Sequence, residues 1–241
     1  MKRNLLIRVD GTEYRRIPVK TGILSPDDDM LQIVKEYTKG KIREGDIISI
    51  SESPLAITQG RAIPVKDIKI GLLAKILWRF VANVKYGIGL RAPASMQCAI
   101  DEAGSLRILF AAFVGALGKL VGRKGDFYRI AGMQAALIDA ATTSPVPPYE
   151  SCVIKGPKNP EKEAQRIKDN LGYETAVMDI NDIGGCWMIG GSDGIDKGFM
   201  EKVMKDNPQG QGAELTPICL IRKIDSRKEH EKHTNNIEKK T

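Results

Sequence analysis

Short β-branched apolar runs alternate with amphipathic stretches along the whole 241-residue chain, and that interleaving is the strongest constraint on its fold. Residues 4–9 and 14–19 read as a hairpin across Asp10-Gly11. Ser25, Asp27, Asp28 and Asp29 supply a cap and an acidic first turn for a helix whose apolar face runs over 30–37. Residues 47–50 read as a short buried strand and 69–84 as an amphipathic helix. Residues 106–121 form an apolar helix rich in Ala and Gly, suited to a tightly packed central position or to a dimer contact. Further on, 151–154 read as a strand and 159–171 as a helix opened by Pro160. A buried strand over 175–180, a helix over 194–205 and a last strand over 217–222 follow. This order predicts an α/β (mixed α+β) class without a clean doubly wound pattern. The proline-rich stretch at 142–150 is either a subdomain boundary or a surface loop of one domain. Residues 1–222 form the structured region, and 223–241 a basic, polar tail.

Several reaction classes are poorly served by this chain. Its two histidines, His230 and His233, both fall in the tail, so Ser-His-Asp and Cys-His chemistry lack a base. Cys98, Cys152, Cys186 and Cys219 stand singly, without zinc or redox spacing, as expected of thiols in a reducing cytosol. Gly115-Ala116-Leu117-Gly118-Lys119 has the wrong spacing for a phosphate-binding P-loop and is followed by Leu120 rather than Ser or Thr. No GxGxxG follows a strand, so the fold is neither P-loop nor Rossmann. The net charge of +7 favours anionic ligands, but basic residues are not interleaved with aromatics, which ranks nucleic acid below a small anionic substrate. No apolar run has membrane length, and the expectation is a cytoplasmic enzyme with no membrane partner.

Four segments carry candidate chemistry. The strand over 175–180 delivers Asp179, then Asn181 and Asp182, into Gly184-Gly185. Carboxylate and amide oxygens there suit Mg²⁺ or Mn²⁺, and the glycines admit a phosphate; the plainer reading is an Asx-rich turn. Asp101, in Ala99-Ile100-Asp101-Glu102-Ala103-Gly104, reads as a helix N-cap or as a second metal carboxylate. Gly210-Gln211-Gly212-Ala213-Glu214 is a loop whose backbone N–H groups suit phosphates and whose Gln211 and Glu214 offer oxygens to a metal, or else a plain flexible loop. Glu52-Ser53-Pro54 leads to Gln59-Gly60-Arg61, where Arg61 suits a phosphate, a carboxylate or a salt bridge. Arg91 stands beside backbone-permissive residues in the same manner.

Taken in order, these pieces resemble the coenzyme F420-0:L-glutamate ligases. Thr21-Gly22-Ile23-Leu24, the acidic helix start, Gly45-Asp46 and Gln59-Gly60-Arg61 look like the beginning of that family. Ala99-Ile100-Asp101 resembles its metal-binding Gly-Ile-Asp segment, the strand ending at Asp179 its second metal aspartate, and residues 210–217 its late nucleotide loop. The resemblance implies a two-domain α/β fold, a homodimer, Mg²⁺ or Mn²⁺, and GTP as co-substrate. It implies that L-glutamate is added to a carboxylate acceptor through an acyl phosphate. On it, Asp101 and Asp179 are the catalytic pair, and the metal is held by Asp101, Asp179, Asn181, Asp182 and Gln211. Thr21, Gly22, Ile23, Leu24, Glu52, Ser53, Arg61, Gly210, Gln211, Gly212, Ala213 and Glu214 meet the nucleotide. The chain departs from the family's pattern at Ile57 (Lys there), Gln59 (acidic there), Gly104 (Asn there) and Ile180 (Thr there). Those departures keep two other readings open: a ligase for a folate or another acceptor, and a non-catalytic nucleotide- or metabolite-binding protein.

Overall fold

Strands β3 (Ile47–Ser51) and β6 (Thr175–Ile180) pair in parallel at the heart of a six-stranded sheet. Their inner residues Ile48, Ile50, Ala176, Val177 and Met178 are apolar and almost wholly buried, as a strand covered on both faces requires. The computed structural model describes residues 4–81, 89–123, 125–182 and 184–224. The hairpin β1 (Leu6–Val9) and β2 (Thr12–Val19), the last strand β8 (Ile218–Lys223) and β7 (Cys186–Gly191) complete the sheet in the order β1-β2-β8-β3-β6-β7. Among the described residues only the β3–β6 pair is parallel.

The two faces follow the period of two along the strands. Val177 and Leu220 pack with α1 (Met30–Thr38), α2 (Glu52–Thr58) and α8 (Pro160–Leu171). Ala176, Met178, Cys219 and Ile221 pack with α9 (Lys197–Met204) through Met200, Val203 and Met204. Both α1 and α9 begin at aspartates whose carboxylates accept backbone N–H bonds: Asp29 from Gln32 at 3.1 Å and Asp196 from Phe199 at 2.6 Å.

A separate cluster holds α3 (Leu72–Leu77), α4 (Pro93–Ala103), α5 (Ser105–Leu120), α6 (Asp126–Ala131) and α7 (Met133–Ala136). This helical lobe joins the sheet through the ribbon of β4 (Ala62–Pro64) and β5 (Cys152–Ile154), to which Asp139 adds a bridge opposite Ile154. Arg61, 6% exposed, clamps the junction: it pairs with Glu102 at 3.0 Å and donates to Gln134 at 3.1 Å, while Lys155 reaches the same Glu102 at 2.9 Å.

The mixed class and most elements match the sequence reading. The amphipathic stretch at 69–84 instead breaks after α3 into a short 3₁₀ turn over Trp78–Phe80, and residues 82–84 lie outside the described residues. Helix α5 is peripheral, not central: only Ile108, Ala111 and Gly118 are buried. Its small residues seat α6, since a Cβ on Gly115 would stand 3.1 Å from Phe127 Cβ and one on Gly118 2.3 Å from Asp126 Oδ2. Helix α4 and edge strand β7 were not anticipated. The tail from 225 onward lies outside the described residues.

Candidate active site

The sheet brings four chain segments to one edge. The parallel register sets Ser51 beside Met178, so Glu52 and Asp179 each stand one residue further on. Strand β8 runs antiparallel to both β2 and β3, with Ile218 opposite Val19 and Ile50, so its start and the end of β2 reach the same edge. Ligands commonly bind in the crevice beyond the carboxyl ends of parallel strands. Here that crevice is a cavity of about 200 Å³ whose wall includes Thr21, Gly22, Ile23 and Leu24 after β2, and Glu52, Ser53 and Pro54 at the start of α2. Met178, Asp179 and Ile180 at the end of β6 and the 207–217 loop line it as well.

Hydrogen bonds fix the wall. Thr21 N–H donates to Leu215 O and Ser51 N–H to Pro217 O, each at 2.8 Å, tying the 207–217 loop to the strand ends. Gln209, 2% exposed, donates to Ser51 Oγ at 2.9 Å and accepts from Ser49 Oγ at 3.2 Å. Gly210 N–H is held by Asn207 Oδ1 at 2.9 Å, and the positive φ of Gly210 (87°) turns the chain there. The far wall is Thr143, Ser144, Pro145 and Val146, with Tyr149 donating to Leu24 O at 2.7 Å. Five residues of the 142–150 stretch thus contribute to the cavity wall.

Three carboxylates, Glu52, Asp139 and Asp179, converge in this cavity. Burial holds the Glu52 carboxyl well above the usual carboxylate range, and the nearby Asp179 and Asp139 raise it further. Asp179 is pushed up to about 6 by burial and by Asp139. Burial also raises Asp139, offset by the hydrogen bond it accepts from Ser53 Oγ at 2.9 Å. Glu214 adds a fourth carboxylate to the lining, and no Lys or Arg lines the cavity among the described residues. Such a set repels its own ionised form, and a cation would relieve it.

Of the residues marked in the sequence, Thr21, Gly22, Ile23, Leu24, Glu52, Ser53, Asp179, Gly210, Gln211, Gly212 and Glu214 line the cavity. Ala213 does not. Asp101 does not reach it and is no N-cap: it lies on the last turn of α4, exposed, accepting from Gln97 Nε2 at 2.8 Å. Arg61 is occupied at the lobe junction, and Arg91 is an exposed residue away from the cavity. Asn181 Oδ1 accepts from Gly185 N–H at 2.8 Å and Asp182 Oδ1 from Asn207 Nδ2 at 2.7 Å, so both brace the β6–β7 turn. Gly184 and Gly185 belong to that turn, with Asn181 N–H donating to Gly185 O at 2.9 Å. Gln211 Oε1 accepts from Asp182 N–H at 3.0 Å, which fixes its amide at the cavity rim.

Asp139 is the residue that the sequence reading missed. Ile138-Asp139 repeats the Ile-Asp pair of Ile100-Asp101, and hydroxyl residues Thr142, Thr143 and Ser144 follow it. That pairing was the available signal, obscured because the next residues were read as a linker. The profile of the F420-0:Gamma-glutamyl ligase family matches residues 18–191, more than half of the chain. The chain belongs to that family. The match takes in Glu52, Asp139 and Asp179 but ends before the 207–217 loop, which completes the cavity. An uncharacterized protein of Methanocaldococcus jannaschii is 26% identical over 175 residues, covering 68% of this chain and 56% of that relative. The chain therefore corresponds to little more than half the length of that relative. The family is one of amide-forming ligases, and no helix among the described residues is long and apolar enough to cross a membrane.

Proposed function

We propose that the cavity binds a nucleoside triphosphate with Mg²⁺ or Mn²⁺ and joins an amino acid to a carboxylate acceptor through an acyl phosphate, with GTP and L-glutamate as the first candidates. The observation that carries this reading is the convergence of Glu52, Asp139 and Asp179 in a cavity lined by no Lys or Arg among the described residues. A polyphosphate is drawn into such a site only together with cations.

The donor set fits a hard cation. The described residues contain no ready cluster of three or more His, Cys, Asp or Glu groups at metal-binding spacing. Mg²⁺, however, usually takes one or two carboxylates and completes its shell with water and substrate phosphates. Asp139 and Asp179 would supply those carboxylates, with Gln211 and Glu214 at the rim. When bound, the cation offsets the phosphate charge and makes the γ-phosphorus more electrophilic. The 21–24 and 210–212 segments would flank the triphosphate, with the N–H groups of Thr21, Gly22 and Gly210 already donated within the protein. The acceptor carboxylate oxygen attacks the γ-phosphorus, the bond to the β–γ bridging oxygen breaks, and the diphosphate leaves. The amine then attacks the acyl carbon, phosphate leaves with the C–O electron pair, and the amine loses a proton.

Titration calorimetry with GTP and ATP in the presence of Mn²⁺ tests binding, and phosphate release across a panel of carboxylates and amino acids tests turnover. Absence of nucleotide binding at millimolar concentration defeats the reading. One observation favours a second, non-catalytic reading on the same scaffold: Ile57, at the position of the family's lysine, is a buried apolar part of the cavity wall. That reading predicts nucleotide binding without phosphate release from any substrate pair.

A further inference from the structure

Helix α5 turns a row of large apolar side chains outward. Leu106 is 82% exposed, Phe110 59%, Phe113 62%, Leu117 47% and Leu120 83%, a row running the length of a helix of about 24 Å. Of the sixteen exposed large hydrophobic residues among those described, eleven fall between Leu72 and Met133. Lys119 Nζ donates to Phe80 O at 2.9 Å, which brings the exposed Phe80 to the C-terminal end of the row. Between α5 and α6 runs an apolar groove containing Val114, Leu120 and Ile130. Arg123 and Arg129, both more than 60% exposed, flank it and share the single buried carboxylate of Asp126.

The same segment is strongly basic. Residues 65–136 hold eleven Lys or Arg against four Asp or Glu, a net +7. The remaining 169 residues balance at 26 against 26, so residues 65–136 account for the chain's net +7. An apolar stripe bordered by cations is the pattern of a helix that lies in the plane of an anionic membrane surface. A second copy seated on the same face would set one +7 lobe against another, whereas acidic lipid headgroups complement it.

We propose that the outer face of α5, with Phe80 and the α5–α6 groove, is a peripheral docking surface for a membrane rich in anionic lipids. The apolar row enters the headgroup boundary, and Lys75, Lys119, Arg123 and Arg129 meet lipid phosphates. The attachment does not span: α4 and α5 meet at a bend of 115°, and α4 is packed inside the lobe.

Flotation of the full chain with phosphatidylcholine vesicles, with and without about one third phosphatidylglycerol, tests this. The expected result is co-flotation with the anionic vesicles only, weakened by salt. Phe110→Ser with Phe113→Ser abolishes it, and Lys75→Glu with Lys119→Glu lowers partitioning by more than about fivefold per charge. Unchanged circular dichroism and melting of both double variants show that the loss belongs to the surface. Three outcomes overturn the proposal: no flotation, equal flotation with both vesicle types, or a dimer that Phe110→Ser with Phe113→Ser dissociates and that never floats. The last would assign the face to a second copy of the chain.

Discussion

The sheet edge and the helical lobe treat charge and exposure in opposite ways. At the edge, Glu52, Asp139 and Asp179 are drawn into a concave, largely desolvated cavity and held above their ordinary pKa range. In the lobe, cations stay in water and the large apolar groups face out with them. A carboxylate cluster kept from solvent costs stability unless a ligand uses it, and an exposed row of phenylalanines costs solubility unless something covers it. Each region therefore carries a signature of binding, to unlike ligands, and Arg61 with Glu102 is the seam between them.

The comparison breaks first at the carboxylates. Asp139→Asn or Asp179→Asn should lower turnover by about 10²–10³-fold, the scale for removing one charge-stabilising group, whereas Asp101→Ala on the exposed side of α4 should change it less than twofold. Steady-state phosphate release measures all three. Equal losses at Asp101 and Asp179 would put the active site elsewhere.

The seam comes next. Arg61→Met removes a buried guanidinium from Glu102, which keeps Lys155, and should destabilise the fold by about 3 kcal/mol in urea unfolding. Nucleotide affinity of the folded fraction should be preserved, because Arg61 does not line the cavity.

The pH response separates the regions more gently. A carboxyl raised from 3.8 to about 6 in the folded state binds its proton more tightly there than when unfolded. Its contribution is present in full below pH 3.8 and is lost as pH rises through 6. Glu102, Glu174 and Asp206 are lowered and act in the opposite sense, so the comparison must be with a variant. Asp179→Asn should therefore remove roughly 2 kcal/mol of downward slope between pH 4 and 6. Mn²⁺ should raise the melting temperature of the parent protein more at pH 7.5 than at pH 5. The smallest effect is expected on the outer face of α5. Phe110→Ser with Phe113→Ser should shift stability by less than about 0.5 kcal/mol, since neither side chain is buried.

How far the sequence was legible followed how local each signal was. The hairpin at Asp10-Gly11, α1, α8 and β6 carry their own period and caps, and they appear where the pattern put them. Cavity segments anchored to such elements, 21–24 after β2 and Asp179 on β6, were found for the same reason. Asp139 was not, because its place depends on the bridge to Ile154 and on Ser53, 86 positions earlier, which no local pattern reports. Asp101 lies on the last turn of α4 and not at the cavity, since an Ile-Asp pair reads alike on a helix and on a strand. Arg61 reads equally as an anion clamp or a salt-bridge partner, and its partner, Glu102, is a contact that exists only when the two regions meet. The composition of α5 suits a central helix or a close helix contact alike, and only its neighbours, Phe127 and Asp126 of α6, decide between them.

Among the described residues strand β8 comes last in sequence, yet it lies between β2 and β3. Without residues 215–223 the β1–β2 ribbon and the β3–β6–β7 triplet have no strand to join them. Thr21 and Ser51 then lack their carbonyl partners Leu215 and Pro217 as well. The strand that joins the two parts of the sheet and the loop that completes the cavity are therefore one continuous segment of the chain.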